Sequence, residues 1–196
     1  MRRFEPNATV PEDVLARLLQ AAHSAPSVGL MQPWRFIRIT DAGLRTQIHA
    51  LVDEERLRTA EALGPRGEEF LALKVEGILE CAELVVAALS DGRQAHVFGR
   101  RTLPQMDLAS VSCGIQNLWL AARAEGLGMG WVSIFDPARL VVLLGMPGDA
   151  EPVAILCLGP VPDFPPRPQL ELDRWTLARP LREFVSENGW AAPAPA

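Results

Sequence analysis

Between Asp107 and Glu125 apolar residues fall on nearly every side of a helix, with Leu108, Val111, Ile115, Leu118, Trp119, Leu120 and Ala122 among them. A helix of that kind has to be covered on several sides. Gly126-Leu127-Gly128 supplies its C-terminal stop. A chain of 196 residues, 48% of them hydrophobic, has the length and apolar content for one domain, read as 1–190, with a small proline-rich tail at 191–196 that stays disordered. One small sheet cannot cover such a helix, so dimerisation is expected to supply the rest.

The flanking elements read as a mixture of few strands and long helices, an α+β or α/β pattern. Thr9 to Asp13 places Pro11 and two acids where a first helical turn wants them, and Val14, Leu15, Leu18, Leu19 and Ala22 recur at helical spacing to give a helix over 12–22. Residues 34–39 alternate as a strand with one buried face. A charged helix is expected over 41–63 and another, through Phe70, Leu71, Val75 and Ile78, before a strand at 84–89. Residues 129–135 read as an apolar strand or extended loop, 137–144 as a short helix and 153–159 as a buried strand. The proline-rich 160–168 reads as a loop or arm, and 180–187 as a last short helix.

A net charge of −5 gives no general attraction to a polyphosphate backbone, which argues against nucleic-acid binding. No window has the apolar length of a membrane span, and the N-terminus lacks the apolar run of a secretory leader, so the expected location is the cytoplasm. Cys81, Cys113 and Cys157 lie in apolar surroundings without ligand spacing and read as buried structural thiols. His23, His49 and His96 are scattered, so no metal is expected.

Two segments can carry chemistry. Ala25 to Trp34, APSVGLMQPW, sets a hydroxyl and backbone donors between a helix and a strand, a place suited to an anion or a ring edge. Its local composition alone favours an ordinary helix-to-strand connection. Gly126 to Phe135, GLGMGWVSIF, lacks the strand-then-helix order of a dinucleotide fingerprint. Ser133 is a lone hydroxyl in an apolar run, without the glycine frame of a hydrolase nucleophile, and needs a partner if buried. Arg2 and Arg3 have the guanidinium fork that suits phosphate.

The order of these segments resembles the nitroreductase superfamily. Residues 21–34 (AAHSAPSVGLMQPW), 104–107 (PQMD), 116–126 (QNLWLAARAEG) and 130–135 (GWVSIF) are more narrowly similar to the BluB-type 5,6-dimethylbenzimidazole synthases, a likeness spanning nearly the whole chain to Trp190. The resemblance implies a central, mainly antiparallel sheet flanked by helices, in an intertwined homodimer with FMN at each subunit interface. Carried over, Arg2 and Ser27 meet the FMN phosphate and ribityl region, with Gln32 near the flavin. Trp131, Val132 and Ser133 lie along the isoalloxazine, Ser133 being the candidate catalytic residue at the reacting edge. Asp107 and Ser110 border the pocket, Arg179 completes the phosphate site, and the Lys74 segment belongs to a covering lid.

The implied activity is O2-dependent fragmentation of reduced FMN to give the lower ligand of cobalamin, with a separate flavin reductase as a partner. The alternative on the same fold is an NAD(P)H-dependent flavin, nitro or quinone reductase. A non-catalytic flavin-binding protein ranks last, because Ser27, Gln32 and Ser133 stand in intact motifs. The family's Arg-Arg-Asp-Val-Arg motif is met here only from its valine position, taken by Met1, and its last arginine, Arg2. The expectation is that the remainder, including an aspartate implicated in fragmentation, lies upstream of a start assigned at a valine codon.

Overall fold

The structure, a computed structural model, describes residues 3–190. The chain groups into two compact units, one ending at Pro162 and the other beginning at Asp163. The first contains four strands, β1 (Trp34–Arg38), β2 (Glu83–Leu89), β3 (Gly128–Val132) and β4 (Glu151–Gly159). They pair antiparallel throughout, in the order β1-β2-β4-β3. With its flanking helices this is the expected α+β architecture.

Strand side chains alternate between faces, and the sheet is covered on both. Val85, Ala87 and Leu89 of β2 join Ala154, Leu156 and Leu158 of β4 in one core. Against it lie α1 (Glu12–His23), through Leu15, Leu18 and Ala22, and α4 (Met106–Ala124), through Val111, Ile115, Leu118 and Ala122. Each large aliphatic side chain buried this way contributes about 1.5–3 kcal/mol, which outweighs the modest helix propensity of the β-branched residues in α4.

The end of α4 follows from Gly126, whose φ of +75° is the left-handed conformation that glycine adopts without a Cβ penalty. The Leu127 N–H donates to Ala122 O at 2.8 Å and the Gly126 N–H to Arg123 O at 3.1 Å, the paired bonds of a Schellman cap. Within one chain, however, α4 is covered on one side only. Leu108, Cys113, Gln116 and Leu120 form an exposed ridge, and Leu120 is 59% exposed. Cys113 is therefore exposed, contrary to the expectation of three buried thiols. Cys81 and Cys157 are buried, and their mutual hydrogen bond together with burial pushes the Cys157 thiol up.

On the other face, α5 (Pro137–Leu143) packs on β4 and touches α2 (Ala42–Ala62). Asp136 caps α5 by accepting from the N–H groups of Ala138 at 2.9 Å and Arg139 at 3.2 Å, with Pro137 in the first turn. Asp41 caps α2 through the Leu44 N–H at 2.6 Å. Glu54 of α2 and Arg139 of α5 form an ion pair that ties the two helices together.

The helix expected through Phe70 and Ile78 is shorter. α3 covers only Gly67–Leu71. Val75 and Ile78 lie in an irregular segment, where the Glu76 carboxylate accepts from the Ile78 N–H at 2.6 Å and Gly77 interrupts the helical path. Ile78 is fully buried without being helical.

In the second unit a short helix, α6 (Gln169–Leu172), was not anticipated, and the helix expected over 180–187 reduces to a 3₁₀ turn at Leu181–Glu183. Leu181, Phe184 and Val185 are exposed, so the packing that sustains most short helices is missing there. The tail expected at 191–196 lies outside the described residues.

Candidate functional site

The segment from Ser27 to Gln32 holds a single 3₁₀ turn at Val28–Leu30, closed by the Leu30 N–H to Ser27 O at 3.2 Å and the Met31 N–H to Val28 O at 2.9 Å, and side-chain hydroxyls fix its two ends. Ser27 Oγ accepts from the Gln32 N–H at 3.1 Å, and Ser110 Oγ, on α4, accepts from the Val28 N–H at 3.0 Å while donating to Met106 O at 2.6 Å. Gly29, Leu30 and Gln32 all have φ near +50°. Two non-glycine residues in that region cost free energy, a feature that concentrates at ligand-holding loops. Leu30 is 80% exposed.

Gly29 cannot be replaced without displacement, since a Cβ there would come within 2.8 Å of His96 Nε2 and 2.9 Å of Phe98 Cδ1. The 92–104 loop thus packs directly on this segment, and His96 Nε2 is buried with no hydrogen-bond partner among the described residues.

Asp107 begins α4 and is only 6% exposed. Its Oδ2 accepts from Arg93 Nε at 3.1 Å and Arg100 Nη2 at 2.8 Å, and its Oδ1 from the Leu108 N–H at 2.7 Å. Arg93 also reaches Glu151 at 2.6 Å and Asp149 O at 2.7 Å, and Arg100 reaches Pro104 O at 3.1 Å. Both oxygens of Asp107 are therefore engaged by protein donors, and the carboxylate anchors the loop that rests on Gly29. Arg93 and Arg100 were not singled out in the sequence, because nothing local distinguishes two buried arginines from solvated ones.

Trp131 and Val132 close β3, paired with Leu156 and Ile155 of β4. Val132 is buried, Trp131 is 36% exposed, and Ser133, just past the strand, is exposed with no protein partner for its hydroxyl among the described residues. The buried hydroxyl anticipated as one possibility is thus a free one at the sheet's end.

β2 and β4 separate β1 from β3, so at about 4.8 Å per strand the two edges stand roughly 14 Å apart. Ser27, Gln32 and Ser110 are brought together at the β1 edge, and Trp131 to Ser133 are placed at the other. A single chain does not unite them.

Arg179, in the second unit, donates from Nε to Glu183 at 2.7 Å and stacks on Phe184, 4.9 Å from the ring centre. Arg2 lies outside the described residues. A separate cavity of about 400 Å³ opens between α2 and residues 71–76, lined by His49, Asp53, Arg56, Lys74 and Glu76. Lys74 is held there by Glu80 at 2.5 Å.

The donor set suits the flavin ring of FMN. At the β1 edge neutral hydroxyls, a carboxamide and strained backbone stand beside the exposed Leu30, a mixture suited to an uncharged planar ring with polar edges. The phosphate end falls to Arg2 and Arg179 in the resemblance.

The model of the nitroreductase family matches residues 1–160. The chain belongs to the nitroreductase family. Within this family it is 42% identical over 176 residues to the 5,6-dimethylbenzimidazole synthase of Rhodospirillum rubrum, covering 87% of this chain and 82% of that protein. Its fold matches a BluB-like flavoprotein from Clostridium difficile 630 with a TM-score of 0.71 at 18% identity, over 94% of this chain and 92% of that one. It also matches oxidized iodotyrosine deiodinase bound to FMN and 3-iodo-L-tyrosine, with a TM-score of 0.65 at 22% identity, over 91% and 94% of the two chains. Among the described residues no helix is long and apolar enough to cross a membrane.

Proposed function

We propose that this nitroreductase-family chain is an FMN-dependent oxidoreductase with 5,6-dimethylbenzimidazole synthase activity, consuming reduced FMN and O2. The observation that carries this reading is the 42% identity to a synthase over most of both chains. Ser27, Gln32 and Ser133 are present at the sites where the resemblance needs them.

The site is composite in this reading. A second copy covers the exposed ridge of α4 and brings its own Trp131-Val132-Ser133 to the Ser27 to Gln32 loop of the first. Three features support it: the separation of the two segments across the sheet, the apolar ridge at Leu108 and Leu120, and the exposed Leu177, Leu181 and Phe184 of the second unit. A separate flavin reductase, or NAD(P)H directly, supplies the reducing equivalents.

Bound FMN would supply the redox chemistry, and the chain supplies position and proton control. Ser27 and Ser110 fix the loop, so that its donors are oriented before the ring arrives. Trp131 and Leu30 exclude water from the ring faces. The Ser133 hydroxyl, without a protein partner among the described residues, is the group able to donate or accept a proton at the ring edge. Arg2 would neutralise the phosphate.

Incubation of the protein with chemically reduced FMN in air, followed by chromatographic and mass analysis, tests the assignment. Formation of 5,6-dimethylbenzimidazole is expected. Simple reoxidation with all FMN recovered intact, together with rapid NAD(P)H turnover, would replace it with the flavin, nitro or quinone reductase reading.

A further inference from the structure

Trp34, His23 and Gln32 form a hydrogen-bonded chain whose proton positions are determined by its first member. Trp34 opens β1 and is buried. Its indole N–H can only donate, and it lies 3.1 Å from Nδ1 of His23 at the end of α1, with the two rings edge-on at 83°. Nδ1 must therefore carry the lone pair, and in the neutral imidazole the proton sits on Nε2.

His23 Nε2 faces the side-chain amide of Gln32, 3.5 Å from Nε2 of that amide. An N–H on the imidazole and an NH₂ on the amide would be donor against donor. The two ends of a carboxamide are distinguished by their partners, and here the partner requires oxygen. Gln32 thus turns its carbonyl oxygen to His23 and keeps its NH₂ for something else. The backbone tells the same story: Gln32 is held at φ +47° with its N–H bonded to Ser27 Oγ at 3.1 Å, so both its main chain and its side chain are oriented in advance.

We propose that His23 is a positioning residue that fixes the Gln32 carboxamide as a hydrogen-bond donor toward the bound ligand. The loop therefore offers its NH₂ to a ligand with a carbonyl or imine acceptor on the edge it presents to Gln32. Taking the flavin as that ligand rests on the function proposed above; the orientation of His23 and Gln32 does not.

Two measurements test it. In the flavin-free protein, ¹⁵N spectra of the imidazole nitrogens, assigned with His49→Gln and His96→Gln, should show His23 with a protonated Nε2 and a bare Nδ1. A protonated Nδ1 would overturn the proposal whatever the protein binds.

The second is FMN binding by fluorescence quenching. Gln32→Glu keeps an oxygen for His23 but removes the outward NH₂, and should weaken FMN at least tenfold, as Gln32→Ala does. His23→Ala should weaken it several-fold, and the double variant His23→Ala with Gln32→Ala should lose no more than Gln32→Ala alone. Additive losses, or normal binding by Gln32→Glu, would overturn the positioning role. A wild-type protein that shows the expected tautomer yet binds no FMN would instead defeat the flavin reading and leave the ligand class to be sought among other acceptor-edged ligands.

Discussion

Ser110 Oγ accepts the Val28 N–H at 3.0 Å, so one hydroxyl on α4 holds in place a loop 82 residues earlier in the chain. The same oxygen donates back to Met106 O at 2.6 Å, which fixes the hydroxyl proton and leaves a lone pair directed at Val28. The start of the loop is thereby tied to the helix that carries Ser110.

Replacing that serine separates rigidity from chemistry. Ser110→Ala strands the Val28 N–H in a part-buried position, a loss of about 1–3 kcal/mol that urea denaturation should report as a lower midpoint with an unchanged slope. FMN affinity should fall with it, because the Ser27 to Gln32 segment is then free to rearrange. Unchanged stability would mean that the Val28 N–H finds another acceptor.

Asp107 gives a larger effect for a different reason. Its carboxylate is the shared counter-ion of Arg93 and Arg100, whose side chains are 4% and 5% exposed. Asp107→Asn leaves two buried guanidinium groups short of one negative charge, and removal of one partner from a buried pair costs about 3 kcal/mol or more. The urea midpoint should drop well below that of Ser110→Ala. A wild-type midpoint would show that Glu151 alone balances the two arginines.

These two residues also mark where the sequence stops being readable. The resemblance placed Asp107 and Ser110 beside the pocket, and in the fold each spends its hydrogen bonds on the protein. Their partners are distant in sequence, 7 and 14 residues away for Asp107 and 82 for Ser110, and no local periodicity encodes such pairs. Local signals did define the ends of helices: Gly126 marks the close of α4 because only a residue free of a Cβ takes that φ cheaply, and Asp136-Pro137 marks the opening of α5. Val75 and Ile78 misled because helical spacing of apolar residues also arises in an irregular segment that buries them, and Gly77 was the available warning. Ser133 was legible as unusual, while its exposure depended on where β3 ends.

Acid should loosen the contact between α2 and α5. The Arg139 guanidinium hydrogen-bonded to Glu54 holds its carboxyl below the usual glutamate range. A carboxylate with a lowered value in the folded protein stabilises it fully above the ordinary value near ~4.3. That contribution disappears as pH falls from there through the lower folded value. Urea midpoints measured from pH 7 down to pH 3 should decline less steeply for Glu54→Gln than for the wild type, and high salt should narrow the difference because the pair is exposed. Identical acid limbs would remove Glu54 from the account.

The exposed ridge of α4 carries the test of the composite site. Cys113 lies on that ridge between Leu108 and Leu120, on the side of the helix away from α1, so a long charged side chain there is harmless to the folded single chain. Cys113→Arg should therefore leave the fold of the single chain intact, seen as an unchanged far-ultraviolet circular dichroism spectrum. At an apolar interface between two copies, the same guanidinium would be buried without a partner, at a cost of several kcal/mol. Light scattering should show the mass fall from twice to once the 21.4 kDa of the chain, and bound FMN should be lost in the same step, because in the proposed composite site Trp131 to Ser133 reach the Ser27 to Gln32 loop only from the second copy. A variant that becomes monomeric and still binds FMN tightly would place the whole site within one chain.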